Sequence, residues 1–202
     1  MRLRNVDPEV ILFDFDGTLV DSEVVHRQIW LDILRAEGVT REIAEEEFLG
    51  LPASAIAEHF FGRTQRAVEA CDRFEAEEIR RSYEWMSGAR EFVRYLGDAG
   101  YTLGIVTNSR RAKVDNFLRA EGMETAFDHC VTCDMVEKRK PFPEPYLAAI
   151  GRVNVSTDRI IAVEDSATGE KAALAAGLEC RMVAPEQGYT LGVWKEKLLL
   201  PR

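Results

Sequence analysis

Asp14-Phe15-Asp16-Gly17-Thr18 follows directly on the apolar run Val10-Ile11-Leu12-Phe13. A short run with β-branched members, preceded by Pro8 and ended by Asp and Gly, reads as a buried strand entering a tight turn. Both aspartates then stand at the carboxyl end of a strand, where open α/β sheets place their ligands. Alternate strand residues point to opposite sides, but a turn at Gly17 lets Asp16 curl back toward Asp14. Carboxylates this close repel one another, so a cation or a retained proton belongs with them. Taken by itself, the stretch also reads as an ordinary Asp-Gly turn.

Three further polar groups follow apolar runs or rigid loops. Thr107-Asn108-Ser109 comes after Leu103-Gly104-Ile105-Val106. A strand-end hydroxyl followed by a helix opening can hold a phosphate oxygen, with backbone N–H groups adding to it. The same residues also suit a helix cap. Lys140 lies in Glu137-Lys138-Arg139-Lys140-Pro141-Phe142-Pro143-Glu144-Pro145. Prolines pin this loop, and Pro145 suits a first helical turn, so Lys140 can present its charge at one place. Glu164-Asp165-Ser166 ends the run Ile160-Ile161-Ala162-Val163. Carboxylates there are natural Mg²⁺ ligands, because Mg²⁺ prefers hard oxygen donors. As helix-capping acids they also suit the helix dipole.

These four groups, in this order, resemble the haloacid dehalogenase-like superfamily. The match runs Asp-x-Asp-Gly-Thr, then Thr-Asn-Ser, then Lys-Pro-x-Pro-Glu-Pro-Tyr, then Glu164-Asp165-Ser166-Ala167-Thr168-Gly169 with Ala175-Ala176-Gly177 behind it, and covers the chain from Val10 to about Val183. The resemblance implies a Rossmann-like, doubly wound α/β core with an inserted α-helical cap that closes over the site. It also implies catalytic roles for Asp14 and Asp16. In that reading Asp14 is the candidate nucleophile, giving an aspartyl-phosphate, and Asp16 the candidate acid and base. The resemblance likewise implies phosphate binding by Thr107, Asn108, Lys140 and Gly17. Mg²⁺ falls to the Asp14 and Asp165 side chains with the Asp16 carbonyl, and Glu164 joins directly or through water.

Composition agrees with such an enzyme. The 202 residues suffice for one α/β domain with an insert, and 46% are hydrophobic. A formal charge of −9 argues against a non-specific nucleic-acid binder. No apolar run is long enough to span a membrane and no secretory leader pattern opens the chain, so a cytoplasmic protein without a membrane partner is expected. A monomer acting on a small phosphate ester is the further expectation. Four cysteines do not suggest a disulfide framework, and Cys130-x-x-Cys133 has no second pair for a metal site. Strands are predicted over 10–13, 103–106, 129–132, 160–163 and 181–183. Helices are predicted over 89–99, 112–121, 145–152 and 167–176. Alternating strands and helices give a parallel sheet covered on both faces. No strand signal appears between Leu19 and Trp85. That segment reads as amphipathic helices over 22–37, 41–48, 54–61 and 64–83. The division expected is therefore a core of 1–18 and 86–202, with a cap of 19–85. The tail 189–202 carries no assigned function.

The resemblance leaves several chemistries open, and individual residues narrow them. Dehalogenating relatives lack the second aspartate, which is present here as Asp16. Phosphonate-cleaving relatives need a cap lysine, and the first lysine of this chain is Lys113. The segment Asp21-Ser22-Glu23-Val24-Val25-His26 with Trp30 looks like beta-phosphoglucomutase and its sugar-phosphatase cousins. His26, Trp30 and Gly50 are the candidate substrate residues of the cap; for His26 and Trp30 the alternative is a helix face packed on the cap core. A mutase grips a second phosphate with a lysine and an arginine around the cap glycine, but here Gly50 is flanked by Leu49, Leu51, Pro52 and Ala53. The expectation is a Mg²⁺-dependent phosphatase for a small metabolite, of sugar-phosphate type. The alternatives are a phosphomutase and, in another class, a catalytically silent binding module.

Overall fold

A computed structural model describes residues 8–48, 51–184 and 190–198. The described residues fall into two compact units: one runs to Asp21 and resumes at Glu84, and the other is Ser22–Tyr83.

The first unit is built on five parallel strands: β1 (Val10–Phe13), β4 (Thr102–Val106), β5 (His129–Val131), β6 (Ile160–Glu164) and β7 (Glu179–Met182). Their order is β5-β4-β1-β6-β7. The four residues of β1 are all buried, as a central strand with both faces covered requires. On one face Val10 and Leu12 pack with Ile160, Ala162, Tyr146 and Ala172. On the other Phe13 meets Phe92 and Phe127 edge-on. The helices of this unit are α4 (Ala89–Asp98), α5 (Arg111–Ala120), α6 (Glu144–Ile150), α7 (Ala167–Ala175) and α8 (Leu191–Leu198).

The strand order fixes where the site lies. From β1 the chain places β4 and β5 on one side and β6 and β7 on the other, so the winding reverses at β1. Such a reversal opens a crevice at the strands' carboxyl ends. Phe13 pairs in register with Ile105 on β4 and Val163 on β6. The next positions, Asp14, Val106 and Glu164, therefore line up at that crevice.

The second unit contains α1 (Glu23–Ala36), α2 (Ala53–Phe61) and α3 (Gln65–Glu78). Ile29, Trp30, Ile33 and Leu34 form the apolar stripe of α1, recurring at the three-to-four-residue spacing of a helix face. They pack with Ile56, Ala57, Ala67, Ala70 and Phe74 into a core belonging to this unit.

Several local expectations are corrected. The last strand runs over Glu179–Met182, not 181–183. As an edge strand it includes the polar Glu179 and Arg181, which a search for apolar runs passes over. The segment read as strand-free is bracketed by a short antiparallel pair, β2 (Val20–Asp21) with β3 (Glu84–Trp85). Two residues per strand carry no periodicity. The helix expected over 41–48 is only a single 3₁₀ turn, Glu45–Glu47. Glu47 there accepts hydrogen bonds from the Ala44 N–H (3.0 Å) and the Arg41 guanidinium, a local alternative to the helical ladder. In the C-terminal tail, α8 buries Trp194, which stacks on Phe92 and donates to the Ser87 carbonyl at 2.9 Å. That stretch is core packing.

Candidate active site

The site grows from three adjacent strand ends. Lys140 Nζ donates to Asp14 Oδ1 at 2.8 Å, to the Val106 carbonyl at 2.7 Å and to Glu164 Oε1 at 2.5 Å. One ammonium thus ties the ends of β1, β4 and β6 together. Asn108 holds the loop that carries it: Asn108 Oδ1 accepts the Lys140 N–H at 2.9 Å, and its Nδ2 donates to the Lys140 carbonyl at 3.2 Å. Tyr146 closes the back, its hydroxyl donating to Glu164 Oε1 at 2.5 Å and its ring lying 5.2 Å from the Lys140 ammonium.

Asp14 is 8% exposed. Burial raises its pKa, against the pull of Lys140. Burial also works against the Lys140 charge, but Asp14 and Glu164 more than offset it and the lysine pKa rises. Glu164 is pushed up to about 8, by burial first and by the Asp14 charge second. Asp165 is pushed up to about 7 by the same two causes. Two glycines make room for this acidic pair. A Cβ on Gly17 would lie 2.0 Å from Asp165 Oδ2, and one on Gly169 would lie 1.8 Å from Glu164 Oε2. Gly17 also has φ +74°, a conformation that favours glycine. The Thr18 hydroxyl lies 3.4 Å from Asp165 Oδ1.

Asp16 has its own partners. Ser109 Oγ donates to Asp16 Oδ2 at 2.5 Å, and Lys113 Nζ donates to Oδ1 at 2.7 Å. Thr107 is buried, and its Oγ1 accepts the Ser109 N–H at 3.0 Å. That leaves the hydroxyl proton of Thr107 to donate elsewhere.

The carboxylates suit a divalent cation. Asp14, Glu164 and Asp165 each offer an oxygen, all within 4.8 Å of one another. Among the described residues Glu164 Oε2 is buried without a hydrogen-bond partner, and such an orphan acceptor is costly unless something else satisfies it. The raised Glu164 and Asp165 pKa values come from burial first and from the Asp14 charge second, so a nearby cation would favour their ionised forms. Hard oxygen donors of this kind match Mg²⁺.

The structure thus brings Asp14, Asp16, Gly17, Thr107, Asn108, Lys140, Glu164 and Asp165 to one end of the sheet. His26 and Trp30, named for the cap, lie in the other unit. Trp30 is 1% exposed and stacks on Phe74 at 5.1 Å. His26 Nε2 lies 3.4 Å from Glu78 Oε2, with its ring against Phe74 and Tyr83. Gly50 falls outside the described residues. Sequence reasoning gave no role to Lys113 or Tyr146. The signal for Lys113 was present: it shares the buried face of α5 with Val114, Phe117 and Leu118, where a lysine needs a partner. Tyr146 was quoted within a motif, but nothing in its spacing points to Glu164.

Comparison with known proteins gives the family. The chain is 33% identical over 178 residues to validoxylamine A 7'-phosphate phosphatase of Streptomyces hygroscopicus subsp. limoneus, covering 85% of this chain and 84% of that one. It is 28% identical over 182 residues to the phosphorylated carbohydrates phosphatase of Thermotoga maritima, covering 85% and 82%. The crystal structure of CbbY from Rhodobacter sphaeroides in complex with phosphate superposes with a TM-score of 0.70 at 26% identity, over 91% of this chain and 90% of that one. The family profile described as haloacid dehalogenase-like hydrolase matches residues 11–183. With a profile spanning so much of its length and the strand-end cluster assembled, the chain belongs to the haloacid dehalogenase-like hydrolases.

Proposed function

We propose that this protein is a Mg²⁺-dependent phosphatase that hydrolyses a small phosphorylated metabolite, a sugar phosphate, through an aspartyl-phosphate on Asp14. One observation carries the reading. Asp14 and Asp16 are two residues apart yet held by separate partners, Lys140 for the first, Ser109 and Lys113 for the second. Two carboxylates kept in different environments can take different roles.

Phosphoryl transfer is chiefly positioning and charge neutralisation. The Asp14 carboxylate attacks phosphorus as the ester oxygen leaves, and Asp16 gives that oxygen its proton. Asp16 then takes a proton from water as the water attacks the aspartyl-phosphate, which restores Asp14. Lys140 and the Thr107 hydroxyl hold phosphoryl oxygens, and Asn108 keeps the Lys140 loop in place. The Asp14 and Asp165 side chains with the Asp16 carbonyl would hold the cation, with Glu164 beside them. When bound, Mg²⁺ neutralises carboxylate and phosphoryl charge. We take residues 19–85 as the cap that selects the substrate, and 1–18 with 86–202 as the core. Hydrolysis rather than isomerisation is favoured by the stretch Leu49-Gly50-Leu51-Pro52-Ala53, apolar where a mutase would hold a second phosphate. The similarity to phosphatases of phosphorylated carbohydrates and of a 7'-phosphate supports the substrate class.

Phosphorus NMR on beta-glucose 1-phosphate with a trace of the bisphosphate, with Mg²⁺ and with chelator, tests this. Inorganic phosphate is expected with Mg²⁺ only. Dominant glucose 6-phosphate would make the protein a mutase, and no turnover across a panel of phosphorylated metabolites would make it a binding module.

A further inference from the structure

We propose that Lys113 is a positioning residue for Asp16: together with Ser109 it fixes the plane of the proton-transfer carboxylate. The inference rests on the phosphatase reading, in which Asp16 moves the proton.

The clamp is two-sided. Lys113 Nζ takes one Asp16 oxygen at 2.7 Å and Ser109 Oγ takes the other at 2.5 Å. A carboxyl group has about four lone-pair sites, so with one contact on each oxygen a site remains to carry the proton that Asp16 transfers, while its orientation is set. Asp16 needs this support. It sits on a turn with its side chain 24% exposed, where a short side chain otherwise exchanges rotamers.

Packing alone does not account for the lysine. Its side chain is wholly buried, on the face of α5 that carries Val114 and Phe117. An apolar side chain of similar length would pack there without the desolvation cost of an ammonium. A buried charge aimed at a reacting carboxylate is instead a positioning device, as rigidly held second partners of catalytic groups are. The clamp is also in register with the phosphate site. The segment that supplies Ser109 and Lys113 begins at Thr107, and the Ser109 N–H bonds Thr107 Oγ1 at 3.0 Å. One rigid segment thus sets both a phosphoryl contact and the orientation of Asp16.

The test is kcat/KM, which reports the steps up to departure of the leaving group. It is measured on a sugar phosphate and on 4-nitrophenyl phosphate, whose leaving group hardly needs a proton. Lys113→Met is expected to lose about 10- to 100-fold on the sugar phosphate, a part of the 10²–10⁴ that acid–base catalysis is worth. On the aryl ester it should lose little. In the Asp16→Ala background, Lys113→Met should add nothing further, because two residues acting through one interaction are not additive. Ser109→Ala leaves the backbone bonds in place and should show the same pattern more weakly, so it carries the test if Lys113→Met does not fold. Equal losses on both esters, or a full Lys113→Met loss persisting without the Asp16 carboxylate, would overturn the clamp while leaving the phosphatase reading intact. Absence of phosphate release by the wild-type protein from every ester would overturn that reading and the clamp with it.

Discussion

Glu47 and Glu164 are both glutamates with a cation beside them, yet their surroundings drive them in opposite directions. Glu47, in the helical unit, is held down to about 2, first by hydrogen bonds from Arg41 at 2.8 and 2.6 Å and then by His59 at 3.0 Å. Glu164, at the strand ends, is pushed up to about 8 by burial, with Asp14 adding to it although Lys140 sits 2.5 Å away. The helical unit satisfies this charge with its own side chains at the surface. The core site gathers more buried negative charge than its lysine neutralises. A protein tolerates that where something outside the chain completes the site; in the function proposed above, a cation and a phosphoryl group do so.

The sharpest way to break this contrast is to remove Asp14, the nucleophile we propose. Asp14→Asn keeps the shape of the side chain and takes away its charge. Turnover is expected to fall by on the order of 10⁴-fold or more, the scale of losing a residue on which every step depends. The fold should persist, because one of the repelling carboxylates is gone. Turnover near the wild-type rate in the purified variant would end the assignment of Asp14.

The next effect is on stability without metal. Glu164 and Asp165 have folded-state pKa values of about 8 and about 7, above the ordinary 4.5 and 3.8. An acid raised on folding contributes stability that is fully present below its unfolded pKa and is lost as pH rises through the folded one. Metal-free protein should therefore lose stability between about pH 4 and pH 8. A shift of one pKa unit is worth about 1.4 kcal/mol, so the slope is within reach of the measurement. Added Mg²⁺ should restore it at high pH, by binding only the folded state. Thermal unfolding in chelator from pH 5 to 9, repeated with Mg²⁺, gives the answer. A flat metal-free profile would show that the acidic cluster is not short of a cation.

The two units were also unequally legible. The side chains gathered at the strand ends follow apolar runs, and Asp14, Thr107 and Glu164 are visible because the runs before them are. Lys140 is visible because prolines hold its loop. The partners that place these groups were not, because Lys113 and Tyr146 meet Asp16 and Glu164 across 97 and 18 positions of chain. In the helical unit the difficulty is different. An aromatic residue on an amphipathic helix fits a core and a substrate pocket equally well in sequence, since both are apolar. For Trp30 the structure shows a neighbour, Phe74, that lies 44 positions further along and that no local pattern announces.

Trp30 gives the third test. Its ring is buried in the core of the helical unit, so Trp30→Ala should cost about 3–5 kcal/mol, measured by denaturant unfolding. Molecules that remain folded should keep their kcat/KM for a small aryl phosphate. A large rise in KM with little change in stability would move Trp30 from packing to substrate contact.

The smallest effect belongs to Glu47, and its sign separates the units most cleanly. A carboxyl lowered on folding contributes stability that is present above its unfolded pKa, near 4.5, and lost as pH falls toward about 2. That window lies below the one set by Glu164 and Asp165, and the slope with pH is opposite. Glu47→Gln should make the acid limb of the stability profile shallower and shift neutral-pH stability only slightly, because exposed ion pairs contribute little. The loss of metal-free stability toward pH 8 should be untouched, as should turnover. If Glu47→Gln instead altered the alkaline limb or its response to Mg²⁺, the charges of the helical unit would be coupled to the strand-end site, and the contrast between a self-satisfied unit and a site rich in buried negative charge would fail.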